Sequence, residues 1–91
     1  MSLKRLVFIA PLALLSVPAV AADRPPTAAE NARITQALNA AGYERWDSVE
    51  LEQDDGRTYW EVDDARRSDG TVWDVKLAPQ TYEVIRAKRD E

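Results

Sequence analysis

Residues 60–77, with the sequence WEVDDARRSDGTVWDVKL, alternate apolar and charged side chains on both sides of a turn. The apolar residues of each segment stand two positions apart, and a period of two places neighbouring side chains on opposite faces of a β-strand. Asp69 and Gly70 supply the turn, because both tolerate the positive φ of a tight hairpin. The stretch therefore predicts an antiparallel hairpin with one apolar face and one charged face.

Two registers are open for this hairpin. A two-residue loop pairs Asp63 favourably with Lys76. A four-residue loop pairs Trp60 with Leu77 but places Asp63 opposite Asp74. Exposed charge pairs contribute well under about 1 kcal/mol, and apolar core pairs usually outweigh them. We therefore favour the longer loop.

A helix is predicted ahead of the sheet. Thr27 and Glu30 have the spacing of a capping box, in which the hydroxyl and the carboxylate each bind one free backbone N–H group. Gly42 suits the left-handed position that follows a helix. The apolar residues between these two signals recur at i, i+3, i+4 and i+7 and so share one stripe of the helix: Ile34, Ala37, Leu38 and Ala41.

The residues between the helix and the hairpin predict a first strand. Residues 43–46 form a connector, and residues 48–53 alternate apolar and mostly acidic side chains. A two-residue Asp-Gly loop then pairs Leu51 with Trp60. A slip of one residue would destroy this apolar pairing, so the register is well specified.

The residues after the hairpin predict a last strand. Pro79 has the fixed φ that suits a type I turn of four residues. That turn pairs Tyr82 with Leu77 at the start of a strand over residues 82–87. The charged residues 88–91 then form a tail that frays.

These elements assemble into an α+β fold with one N-terminal helix packed on a four-stranded antiparallel β-meander. A tether over residues 23–26 precedes a single domain over residues 27–87. The helix and the inner face of the sheet are expected to enclose a core of Ile34, Leu38, Val49, Leu51, Trp60, Val62, Trp73, Val75, Leu77, Tyr82 and Val84.

The first 22 residues have the pattern of a signal peptide. Lys4 and Arg5 precede an almost wholly apolar stretch, and small residues offer cleavage after Ala21 or Ala22. An uncleaved membrane anchor is the alternative, but the stretch is marginal in length for a span and contains two prolines. We expect an exported protein, periplasmic or secreted, with no stable membrane span after cleavage.

Charge and missing residue types exclude several classes of function. Without the leader the chain keeps ten basic and sixteen acidic residues, a formal charge of −6 that disfavours binding to nucleic acid and anionic lipid. The sequence has no His and no Cys, which rules out a His-activated nucleophile, a disulfide and the usual zinc sites. We expect no enzymatic activity, no cofactor and no metal.

Carboxylates are the remaining residues with acid–base or metal-binding chemistry. Asp54, Asp55 and Asp69 stand where Asp favours a turn, and turn formation is preferred to Ca²⁺ binding or catalysis. Asp63 and Asp64 form a second pair. Alternation points Asp64 toward the core, which leaves three readings open: a sheet margin, a pairing with a nearby arginine, or a β-bulge.

The outer face of the sheet is the candidate contact surface. Parity along the strands places four apolar or aromatic residues there among charged neighbours, and a stand-alone meander also has open edges that accept an extended peptide. The three tryptophans are assigned to the core rather than to a ligand site. The candidate interface residues are Tyr59, Ala65, Val72 and Ile85.

The last three strands also carry a set of residues whose order is characteristic of one family. In chain order these residues are Trp60-Glu61-Val62-Asp63, Asp69-Gly70, Trp73-Asp74-Val75-Lys76-Leu77, Pro79, Thr81 and Glu83-Val84-Ile85. This arrangement, together with the leader and the helix before it, resembles the PepSY domain family and in particular its short, exported, stand-alone members. Two positions depart from the family pattern, Ala78 in place of Asp and Tyr82 in place of Gly, and both lie in the last turn.

The resemblance implies an α+β module without enzymatic activity. Such modules occur in the propeptides of secreted thermolysin-like metallopeptidases and in bacterial envelope proteins, and they are proposed to restrain or regulate peptidases. The family brings no catalytic residues, so none is carried over. The expected partner is another envelope or secreted protein, with a peptidase as the candidate. The alternative is a small acidic protein that binds Ca²⁺ or a cationic ligand.

Overall fold

The computed structural model describes residues 23–90, in which one helix lies against a curled antiparallel sheet. The expected α+β class is confirmed. The predicted leader and Glu91 lie outside the described residues, and no helix within residues 23–90 has the length and apolar character needed to cross a bilayer. The elements in chain order are α1 (Ala28–Ala40), β1 (Tyr43–Arg45), β2 (Ser48–Asp54), β3 (Arg57–Arg67), β4 (Val72–Leu77) and β5 (Val84–Arg89).

The sheet is organised around β3. One side of β3 pairs with β1 and β2, the other side pairs with β4, and β5 pairs with β4. The prediction of a plain connector over residues 43–46 is therefore wrong for its first three residues. They form β1 because the Tyr43 side chain is buried in the core, where the Arg67 guanidinium lies 4.7 Å from the centroid of its ring.

The helix begins and ends where the sequence predicts. The Glu30 N–H donates to the Thr27 hydroxyl at 3.2 Å, and the Thr27 N–H donates to the Glu30 carboxylate at 2.9 Å, which completes the capping box. Gly42 follows the helix with φ of +98°. Ile34 and Leu38 are fully buried and fix the face that packs on the sheet.

Both predicted hairpin registers are confirmed. Leu51 lies opposite Trp60 across the first hairpin. Across the central hairpin Trp60 lies opposite Leu77 and Val62 lies opposite Val75, which is the register predicted with the longer loop. Nearer the turn the register shifts by one residue, and Arg66 lies opposite Val72. The pairing of apolar residues has decided the register in both hairpins.

A β-bulge interrupts β3 and reverses its parity. The register shifts between Val62 and Ala65, where Asp64 has φ of +55° and its N–H donates to the Asp74 carboxylate at 3.3 Å. The bulge is thus the correct reading of Asp64. Because the extra residue turns the next side chain inward, Ala65 is fully buried opposite Trp73, and its expected position on the outer face is wrong.

The last turn is longer than predicted. Tyr82 has φ of +64°, its N–H donates to the Ala78 carbonyl at 3.0 Å, and the Ala78 N–H donates to the Glu83 carbonyl at 2.8 Å. Pairing resumes only where Val84 lies opposite Leu77, so the predicted pairing of Tyr82 with Leu77 is wrong. Val84, expected in the core, is 41% exposed.

The strand after this turn also ends later than predicted. Lys88 lies opposite Asp74 and Arg89 lies opposite Trp73, so two residues that were assigned to a fraying tail belong to the sheet. The Asp90 N–H adds a hydrogen bond to the Val72 carbonyl at 2.8 Å.

The core lies between α1 and the inner face of the sheet. Partly buried residues pack around it, among them Val49, Leu51, Trp73 and Tyr82, all four of which were predicted as core. The fully buried residues at its centre are Ile34, Leu38, Tyr43, Trp60, Val62, Ala65, Val75 and Leu77.

Candidate functional site

The outer face of the sheet bears the side chains that alternate with the core residues. Across its middle, Glu50 lies opposite Glu61, Glu61 opposite Lys76, and Lys76 opposite Arg86. The charge thus changes from acidic at β2 to basic at β5. The residues that form this outer face are Glu50, Glu52, Tyr59, Glu61, Asp63, Asp74, Lys76, Arg86 and Lys88.

A groove of about 800 Å³ opens at one end of the outer face. Its lining combines the Tyr59 ring and the Ile85 side chain with three cationic side chains and two carboxylates. The cations are Arg57, Lys76 and Arg86, and the carboxylates are Asp54 and Asp55. The Lys76 ammonium lies 4.3 Å from the centroid of the Tyr59 ring, a cation–π contact that holds the lysine beside the groove. The groove therefore offers an apolar contact at Ile85, with cationic side chains toward β5 and carboxylates at the turn between β2 and β3.

The structure brings together two of the four predicted interface residues. Tyr59 and Ile85 both line the groove, and Ile85 is 56% exposed. Val72 is half-buried at the opposite end of β4, and Ala65 lies in the core because of the bulge. The candidate contact surface is thus smaller than parity alone predicts.

The acidic half of the outer face is crowded with like charges. Partial burial raises the pKa of Glu61, the nearby Asp63 carboxylate raises it further, and Lys76 opposes the change. Burial also raises the pKa of Glu52, with a hydrogen bond to Glu50 as the next cause. Each carboxylate therefore disfavours the charge of its neighbours, and this half offers no site for an anion.

The basic half is free of ion pairs. Within residues 23–90 the only pair of opposite charges closer than 4.0 Å joins Arg24 to Glu30. The cationic groups of Lys76, Arg86 and Lys88 therefore have no carboxylate at that distance, although the protein as a whole is acidic. Anionic groups of another molecule would meet these three side chains without breaking an ion pair.

The strand β5 forms one edge of the sheet, and all six of its residues are exposed. The Asp90 N–H bonds to Val72, and hydrogen-bonded pairs alternate along an antiparallel ladder. By this alternation the backbone groups of Arg86 and Lys88 face β4. Those of Ala87 and Arg89 face away from the sheet, where no strand of the described residues pairs with them.

The opposite edge, at β2, is partly occupied. The Arg24 N–H donates to the Leu51 carbonyl at 3.3 Å and the Leu51 N–H donates to the Arg24 carbonyl at 2.7 Å. The Arg24 guanidinium donates to both oxygens of Glu30 at 2.9 and 3.0 Å and lies 5.5 Å from the centroid of the Trp60 ring. The bond from Arg24, with that from the Thr27 backbone, lowers the pKa of Glu30 to about 2. The segment predicted as a tether is therefore docked on the β2 edge.

The remaining carboxylates shape the backbone. Asp69 accepts hydrogen bonds from the Thr71 N–H at 2.9 Å and from its hydroxyl at 2.6 Å, which lowers the pKa of Asp69. Asp55 occupies a turn with φ of +54°. A hydrogen bond with Asp47 raises the pKa of Asp64 at the bulge. Among the described residues, no three His, Cys, Asp or Glu side chains form a metal-binding group.

The pattern of the sequence does not predict two features of this surface. The alternation of Arg86 and Lys88 with Ala87 is a signal for the basic row on β5, but the predicted strand ends at residue 87 and so excludes Lys88. The pairing of Arg24 with Glu30 has no periodic signal, because it depends on the chain turning back over the first turn of the helix.

Comparison with known proteins gives one family. The model for PepSY_2, described as "Peptidase propeptide and YPEB domain", matches residues 5–88, which include α1 and nearly the whole sheet. No curated protein and no solved structure shows significant similarity to the chain.

Proposed function

Because the chain belongs to the PepSY_2 family of peptidase propeptide and YPEB domains, we propose that it is an exported, non-catalytic module that regulates a peptidase by binding it. Domains of this family are generally propeptide-like or inhibitor-like, which fits a role carried out by contact rather than by chemistry. The match over residues 5–88 is the observation that carries the proposal.

The surface of the sheet supports a role in binding. One face of the sheet packs against α1, whereas the outer face is open and carries a groove where Tyr59, Lys76 and Ile85 meet. An aromatic ring, an exposed isoleucine and unpaired cations in one place are suited to a protein contact. This groove and the adjoining β5 edge are the proposed contact region.

The leader pattern supports export. A signal peptide cleaved after Ala21 or Ala22 would deliver the domain to the periplasm or the medium, where secreted peptidases act. The new N-terminus would then lie within three residues of Arg24, whose backbone is already paired with the sheet.

Site-specific photo-crosslinking in the native envelope tests the proposal. A photoreactive residue at position 59 or 85 is expected to capture a peptidase, and the same residue at Gln36, exposed on α1, serves as the control. The captured peptidase is then purified and its hydrolysis rate measured while the protein is added. A rate that changes in proportion to the complex formed supports regulation. An unchanged rate, or hydrolysis by the protein alone, contradicts it.

A further inference from the structure

We infer that the free edge of β5 binds an extended acidic segment of the partner protein, which adds to the sheet as a sixth strand. This inference rests on the proposed function, because it names the site and the chemistry of the contact. Addition of a strand to an exposed sheet edge is a common mode of peptide recognition, in which main-chain hydrogen bonds supply affinity and alternate side chains supply specificity.

The two edges of the sheet differ in availability. At β2 the backbone of Leu51 is already bonded to Arg24, so an added strand would have to displace that segment together with its ion pair to Glu30. At β5 the backbone groups of Ala87 and Arg89 face away from β4 and meet no other strand within residues 23–90. At β5 an incoming segment therefore meets backbone donors and acceptors without displacing a docked segment.

The side chains of β5 specify what the incoming segment carries. Arg86 and Lys88 project from the outer face and have no carboxylate within 4.0 Å. Val84, Ala87 and Arg89 project from the inner face and are exposed. A segment that pairs with this edge gains most if acidic residues stand at every second position and small apolar residues stand between them. The groove beside Ile85 can receive one further apolar side chain.

A second copy of this chain fits the site less well. Pairing two β5 edges would place Arg86 and Lys88 close to the same residues of the other copy, and like charges directly opposite each other are destabilising. Basic side chains on an edge strand are a known device against such self-pairing. Pairing β5 with a second copy's β2 would require release of the docked Arg24. The charge of the edge thus favours an acidic partner.

Peptide binding to the purified protein tests the inference directly. The probe is a fluorescein-labelled peptide with the sequence Glu-Val-Glu-Val-Glu-Val-Glu, followed by fluorescence anisotropy. Two control peptides share its length: one replaces every Glu with Lys, and one has N-methyl groups on alternate residues and cannot pair along one edge. We expect binding of the acidic peptide that weakens with salt, and no binding of either control.

Two variants separate the charge of the edge from its hydrogen bonds. Ala87→Pro removes an outward N–H group and leaves the bonds to β4 in place, and we expect it to weaken binding about tenfold with an unchanged melting temperature. The double variant Arg86→Glu with Lys88→Glu is expected to abolish binding. Its matched control reverses two exposed charges elsewhere, Arg33→Glu with Arg45→Glu, and should bind the peptide as the unmodified protein does.

Other outcomes overturn the inference without touching the proposed function. If a crosslinked peptidase binds Ala87→Pro as tightly as the unmodified protein, the partner uses another surface, and regulation by contact still holds. If sedimentation shows a dimer that Ala87→Pro dissociates, the edge serves a second copy. If the peptide binds as inferred but no envelope protein is captured, the edge chemistry is correct and the proposed function fails.

Discussion

The replacement Glu30→Gln removes a carboxylate that makes two contacts at once. One oxygen of Glu30 accepts the Thr27 N–H at the start of the helix, and both oxygens accept the Arg24 guanidinium. An exposed ion pair contributes about 0.2–1 kcal/mol, and a carboxylate at a helix N-terminus contributes about 0.3–1 kcal/mol. Because Gln keeps part of the hydrogen bonding, we expect the free energy of unfolding to fall by about 1 kcal/mol at pH 7.

The pH dependence of this loss follows from the pKa of Glu30. Folding lowers that pKa from 4.5 to about 2. A carboxylate with a lowered pKa stabilises the folded state fully above its unfolded pKa, and the stabilisation is lost as the pH falls toward the folded value. The difference between the two proteins should therefore be complete above about pH 5 and should nearly vanish at about pH 2.

Urea unfolding followed by tryptophan fluorescence measures this difference at several pH values. Glu83→Gln is the matched control, because it removes the same charge from an exposed residue whose side chain makes no hydrogen bond or ion pair among the described residues. Equal losses for the two variants at pH 7, or a loss for Glu30→Gln that persists unchanged at low pH, would refute the reasoning.

Further substitutions test the core and the bulge. Ala65→Asp should lower the free energy of unfolding by more than about 3 kcal/mol because it buries a carboxylate. Ala87→Asp on the exposed strand β5 should change it by less than about 0.5 kcal/mol. Similar losses for the two variants in urea titrations would contradict the inward position of Ala65 after the bulge. Asp64→Asn keeps the left-handed conformation but removes repulsion from Asp47, so the melting temperature at pH 7 should rise. The gain should shrink in acid, because the raised pKa of Asp64 leaves its carboxyl protonated there. A gain independent of pH in calorimetry would be evidence against this cause. Trp60→Ala should cost about 3–5 kcal/mol in urea titrations, and a loss under 1 kcal/mol would show that Trp60 does not anchor the core.

The parts of the fold that the sequence predicts correctly depend on apolar pairing. Trp60 meets Leu51 on one side and Leu77 on the other, and a one-residue shift of either neighbour would turn its apolar side chains to solvent. The helix is equally well specified, because Thr27, Glu30 and Gly42 mark its two ends by side-chain chemistry and backbone conformation.

Two of the errors follow from single residues with positive φ that break the alternation. Asp64 adds one residue to β3 and so turns Ala65 inward. Tyr82 takes a left-handed conformation that lengthens the last turn, and pairing then starts at Val84. Periodicity cannot locate such residues, because an inserted residue changes the phase of the pattern without a signal of its own. The two departures from the family pattern, Ala78 and Tyr82, did mark the turn that differs.

The candidate site is less predictable than the fold. Tyr59 and Ile85 were placed on the outer face by parity, and both line the groove. The basic character of the neighbouring edge depends on which residues of the last strand pair with β4. The register predicted for that strand differs from the observed one and does not show this edge as basic. The docking of Arg24 on Leu51 is a long-range contact of an irregular segment, for which the sequence offers no repeating pattern.

Amide hydrogen exchange by NMR, on the labelled protein alone and bound to its crosslinked partner, tests the central claim most directly. The N–H groups of Ala87 and Arg89 face away from the sheet and should exchange rapidly in the free protein. The account predicts that both become strongly protected in the complex, while the exposed surface of α1 is unchanged. Protection confined to α1, or unchanged exchange at both amides in a fully formed complex, would contradict it.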